Sequence, residues 1–103
     1  MPAASTEVGG AALVWIEDGA GAIVRGHAES VSRGGAAVLL PEIPTFTPGD
    51  DVALRIAFER GAPTVAAGAR VRSVVETADG SALCAVEWTA SVPALESWLA
   101  RAA

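Results

Sequence analysis

The 103-residue sequence predicts an all-β domain, a small antiparallel six-stranded barrel with one short C-terminal helix. Three observations carry that expectation. Val52, Leu54, Ile56 and Phe58 alternate with Ala53, Arg55 and Ala57, the period of two of a strand with one face in a core. Asp18-Gly19 and Asp79-Gly80 each stand between two apolar runs, as hairpin turns do. Near the end the period lengthens, with Val92, Leu95, Trp98 and Leu99 at helical spacing behind Ser91-Val92-Pro93.

Residues 1–10 are small, polar and glycine-ended, and read as a flexible arm ahead of a single domain at 11–103. Ala11 to Ile16 is the first strand, and Asp18-Gly19 turns it, with Gly19 supplying the positive φ. Ala22 to Ser30 returns antiparallel, Ser32 to Gly35 break the chain, and Ala36 to Leu40 form the third strand. Pro41, Pro44 and Pro48 make 41–50 a loop. The alternating segment from Val52 to Phe58 is fourth. Thr64 to Glu76 is fifth, with a bulge or bend expected at Gly68. Asp79-Gly80 turns into Ala82 to Trp88, with Cys84, Val86 and Trp88 on one side. A helix at about 92–101 is too short to stand alone in water, so its Leu95, Trp98 and Leu99 stripe must dock on the strands.

Composition limits the function classes. Of the 51% apolar residues, 23 are alanine, which leaves side chains for one modest core. The net charge is −5, lysine is absent, and seven arginines are scattered from Arg25 to Arg101. A nucleic-acid binder concentrates basic charge to neutralise phosphates, so neither DNA nor RNA is an expected partner. Cys84 is the single cysteine and forms no intrachain disulfide, and no apolar run approaches the roughly 20 residues of a bilayer span. A cytoplasmic domain without membrane insertion is expected.

Catalytic patterns are sparse. Nucleophilic catalysis needs a Ser, Cys or Thr beside a base, and His27 is the one histidine, placed on a strand. One His and one Cys do not make a metal site. Asp50-Asp51 follow Pro48-Gly49 and read as turn and strand boundary. Gly19-Ala20-Gly21 lacks the glycine and helix pattern of a dinucleotide loop. Trp88 and Trp98 read as core, and Trp15 as a candidate for a partner surface. The chain is not expected to be an enzyme and requires no cofactor.

Ser30-Val31-Ser32-Arg33-Gly34-Gly35 carries two readings. Its hydroxyls, guanidinium and glycine N–H groups suit an anion, with Ser30, Ser32, Arg33, Gly34 and Gly35 as the candidate ligand-binding residues. Alternatively Gly34-Gly35 simply turn the chain and Ser32 hydrogen-bonds locally.

The same loop resembles the Asp/Asn-x-Ser-x-x-Gly motif of the PilZ domain, a bacterial cyclic di-GMP receptor module. Ser32 and Gly35 match, and Ser30 replaces the acid or amide. Pro48 to Leu54 looks like that family's glycine-led strand, and Ala69-Arg70-Val71-Arg72 is similar to the strand after it. Ala85-Val86-Glu87-Trp88 resembles the strand before its C-terminal helix, so the likeness spans about residues 11 to 101. The resemblance implies a signalling adaptor of the barrel type with cyclic di-GMP as its ligand. In that family an Arg-x-x-x-Arg motif before the first strand grips the phosphates, and Met1 to Gly10 contain no arginine and one acid, Glu7. The expectation is therefore a degenerate PilZ-like adaptor, non-binding or weak for cyclic di-GMP, that touches a protein partner. A receptor with a site reorganised around Ser32 to Gly35 is the alternative. A homodimer stays open.

Overall fold

Alternation of apolar with small or charged residues wraps the strands into one closed wall whose inner face is the core. The computed structural model describes residues 5–6, 12–58 and 64–102. The strands are β1 (Ser5–Thr6), β2 (Leu13–Glu17), β3 (Ile23–Ser32), β4 (Gly35–Leu40), β5 (Asp51–Ala57), β6 (Val65–Glu76) and β7 (Ala82–Trp88). A single helix, α1 (Pro93–Ala102), follows. All neighbours are antiparallel, in the order β3-β2-β5-β6-β7-β4, and β4 returns to β3 to close a six-stranded barrel. Closure gives each of these six strands a paired neighbour on both sides, the arrangement that limits open sheet edges.

Of the arm expected at 1–10, Ser5 and Thr6 pair with Ser32 and Val31, and the rest of it lies outside the described residues. Val31 also pairs with Ala36 on its other side, so β1 lies on the edge of β3 away from β4.

The inward set is nearly all aliphatic: Val14, Ile16, Val38, Leu40, Val52, Leu54, Ile56, Val71, Cys84 and Val86 are buried. Alanines at 28, 36, 67, 69 and 82 fill the remaining inner positions. A wall this narrow has room for few large side chains, which suits small residues at these inner positions. Phe46 drops into the core from the loop before β5, and Leu95 and Leu99 of α1 close it. Trp98 stacks on Phe58, with ring centroids 4.0 Å apart and planes 20° from parallel. The short helix is thus held by the barrel.

Two details correct the sequence reading. Gly21, not Gly19, takes the positive φ of the β2–β3 turn, at 89°. There the Asp18 side chain accepts the N–H groups of Ala20 and Ala22, and this carboxylate brace fixes which glycine must turn. Gly68 does not bulge; it pairs with Ala53, and the irregularity of β6 falls between Val71 and Ser73. The bulge keeps both Val71 and Val74 against the core while Arg72 is exposed. A second irregularity in β3, between Ala28 and Ser30, keeps Ala28 and Val31 inside in the same way.

Candidate functional site

Both bulges border one pocket on the outer wall. Ser30, Ser32, Gly34 and Gly35 line it from the β3–β4 corner, and Arg72, Val86 and Glu87 line it from β6 and β7. Its volume is about 410 Å³. Four of the five residues singled out in the sequence therefore meet at one place. Arg33 is exposed on the loop and does not line the pocket. Arg72 and Glu87 complete the pocket and were not among the candidates.

The corner is built by the serine and the glycine. Ser32 Oγ accepts from Gly34 N and Gly35 N, each at 3.3 Å, and donates to Gly35 O at 3.2 Å. These bonds close a local turn, so the hydroxyl is largely spent inside the loop. Gly35 is buried against β7, and a Cβ there would collide with the Val86 carbonyl. From below, Trp88 Nε1 donates to Ser32 O at 3.0 Å and Trp88 N donates to Gly34 O at 3.0 Å. Trp88 thus works as a strut for the corner as well as a core side chain.

The arginine that lines the pocket, and its strand neighbour Arg70, are paired. Arg72 Nη1 lies 3.8 Å from Glu87 Oε1, and Arg70 Nε lies 3.2 Å from Asp51 Oδ1. All four side chains are more than half exposed, so each pair contributes little to stability, about 0–1 kcal/mol. Their effect on a ligand is larger in kind. Glu87, a carboxylate, lines the pocket beside Arg72. Asp51 is thereby a partner of Arg70, while Asp50 accepts Thr47 N at 2.9 Å and shapes the loop. The two adjacent acids do separate structural work.

The cysteine thiol and the histidine do not meet. Cys84 points into the core, and burial pushes its thiol up to about 11, while His27 is exposed on the outer wall. The two stand on opposite faces of the sheet. Among the described residues no three His, Cys, Asp or Glu side chains cluster to hold a metal, and no helix is long and apolar enough to cross a membrane.

A sequence model of the PilZ domain matches residues 12–102. The chain belongs to the PilZ domain family. No curated protein sequence matches it significantly. Among solved structures, the inhibitor of motility MotI/DgrA of Bacillus subtilis is similar at a TM-score of 0.76 and 21% identity, covering 96% of this chain and 47% of that one. The PilZ domain of Escherichia coli YcgR with c-di-GMP gives 0.69 and 16%, covering 87% and 76%. YcgR in complex with c-di-GMP gives 0.73 and 15%, covering 94% and 41%. This PilZ chain spans about half the length of MotI and less of YcgR, and at such identities the likeness is one of fold.

Proposed function

We propose that this PilZ domain is a non-enzymatic signalling adaptor that holds cyclic di-GMP weakly or not at all and acts through contact with a protein. The observation that carries the reading is Glu87, an acid on the rim of the Ser30 to Gly35 pocket that pairs with Arg72, the arginine lining it. A doubly phosphorylated ligand would meet a local charge near zero. Residues 1–10 offer no arginine to make up the deficit. Two missing charge-assisted contacts at ~1.5–3 kcal/mol each, with about 1.4 kcal/mol per tenfold, move a micromolar site toward millimolar. Ser32, bonded within its own turn, supplies little more. Isothermal titration of the chain with cyclic di-GMP tests the proposal. The expected result is no saturable heat at low micromolar ligand, and tight saturable binding would refute it.

One observation favours a receptor as the second reading: Ser30, Ser32, Gly34 and Gly35 do line a common pocket with a guanidinium, that of Arg72. In that case Arg72→Ala abolishes binding and Glu87→Gln strengthens it, whereas Arg33→Ala, off the pocket, changes it little. The cytoplasm, where such a ligand would be met, is part of the same proposal.

A further inference from the structure

We propose that the Leu39, Leu83 and Val75 row on the outer wall of β4, β7 and β6 docks a basic, apolar-faced helix of a partner protein. This rests on the adaptor reading and gives it a surface, toward the barrel end opposite the Ser30 to Gly35 corner.

Strand register assembles that row. Leu39 on β4 lies opposite Leu83 on β7, and Leu83 lies opposite Val75 on β6, so three apolar residues stand abreast on adjacent strands. Their chain neighbours Val38, Cys84 and Val74 face the core, which turns Leu39, Leu83 and Val75 to the outside. Val75 is 56% exposed and Leu83 36%, while Leu39 is half-buried between them and β3. His27 on β3 and Leu13 on β2 continue the row. One outward step toward the corner, Ala37, Ala85 and Ser73 are small and uncharged. The result is a flat apolar strip about 10 Å wide across three strands. Single exposed apolar residues are ordinary at a surface, whereas a contiguous apolar strip with a polar rim marks a contact site.

The charges at its rim select the occupant. Just past the row the chain turns through residues 41–50 and 77–81, and neither connection contains a lysine or an arginine. Glu42 and Asp79 lie in these turns, Glu76 ends β6 beside Val75, and Glu29 sits at the β3 bulge next to β4. All four acids are exposed and make no ion pair among the described residues. Asp79 is fixed by hydrogen bonds from the Ser81 and Thr77 hydroxyls, which lower its pKa to about 2. Of the arginines, Arg72 is held by Glu87 and Arg70 by Asp51. Arg25 is the unpaired arginine nearest by register, one outward step past His27, where it flanks Trp15 with Arg55 on the far side. Four acids against one arginine leave the rim negative. Its complement is an apolar ridge flanked by lysine or arginine. A second copy of the chain is disfavoured, because a two-fold contact sets the same acids against one another. Nucleic acid and anionic lipid meet the same repulsion. A helix supplies apolar anchors about 5–6 Å apart at i, i+3 and i+4, close to the ~4.8 Å between neighbouring strands.

The test uses the full chain and two synthetic helical peptides of about 18 residues. Both carry leucines at i, i+3, i+4 and i+7; one is flanked by lysines and the other by glutamates. Binding is read from the Leu39, Val75 and Leu83 methyl NMR signals. The lysine peptide should shift these signals saturably, less so as salt is raised, and the glutamate peptide should not. Glu42→Gln with Glu76→Gln should weaken binding by roughly fivefold. Val75→Thr with Leu83→Thr should weaken it by roughly tenfold or more, while Ile23→Thr, exposed but off the row, leaves it unchanged. Circular dichroism checks each variant for folding, and the glutamine pair carries the test if the threonine pair fails to fold. The proposal is overturned by no shift of the row at millimolar peptide, by equal binding of both peptides, by undiminished binding in the glutamine pair, or by a dimer in sedimentation that Val75→Thr dissociates. Titrating cyclic di-GMP into the same sample and reading the Gly34 and Gly35 amides tests the ligand half of the adaptor reading separately, so the two can fail independently.

Discussion

Alanine at Gly35 and alanine at Gly34 are the same chemical change at adjacent positions, and the structure assigns them opposite outcomes. An added Cβ at Gly35 overlaps the Val86 carbonyl oxygen and sits 3.0 Å from Val86 C and 3.1 Å from Glu87 Cα. All three are backbone atoms of β7, and none can rotate away. β4 must therefore move off β7, along a ladder that runs from Gly35–Glu87 to Leu40–Ala82. Overpacking of this kind costs typically 1–3 kcal/mol, and the backbone obstacle places Gly35→Ala at about 2–3. At ~4–8 °C per kcal/mol in a domain of this size, the melting midpoint falls by roughly 10–20 °C. At Gly34 the nearest atom is Ser32 Oγ at 4.0 Å and the φ is not positive. Gly34→Ala is then neutral, or stabilising by up to about 1 kcal/mol through a stiffer unfolded chain. Thermal melts followed by circular dichroism measure both. The reasoning is refuted if Gly35→Ala melts with the wild type, or if the two variants lose stability equally.

Two further outcomes follow from the core. The chain has neither lysine nor tyrosine, so Cys84 is the side chain that titrates between pH 9.0 and about 11, where burial holds its pKa in the folded state. The unfolded thiol ionises first and the folded one resists, so Cys84 stabilises fully below pH 9.0 and that stability is lost as pH rises through about 11. Urea unfolding across this window should show the decline, and Cys84→Ala should flatten it; a flat wild-type curve counts against the assignment. Leu95 is 1% exposed beneath the helix, so Leu95→Ala should cost about 2–5 kcal/mol in denaturant unfolding. The exposed neighbour Glu96→Ala should stay within about 0.5, and similar losses for both would mean the helix is not docked by that stripe.

The sequence by itself determined the six barrel strands, their inward faces and the closing helix. Core residues recur at a period of two along Val52 to Ile56, and a solvated wall with an apolar interior enforces that period locally. It also placed the Ser30 to Gly35 corner, because turn chemistry lies in consecutive residues: Ser32 caps the N–H groups two and three positions ahead. What only the tertiary structure decided is which residues from other strands stand beside that corner. The hairpin at Asp79-Gly80 sets a register that the bulge between Val71 and Ser73 then shifts by one, and this shift places Arg70 opposite Glu87 and leaves Arg72 at the pocket rim. A bulge carries little local signature here, since Gly68, the residue that resembled one, pairs regularly. The Arg25, Trp15 and Arg55 row was hidden for the same reason. Its members lie on three strands, and their adjacency comes from the β2–β3 and β2–β5 pairings rather than from spacing within one strand.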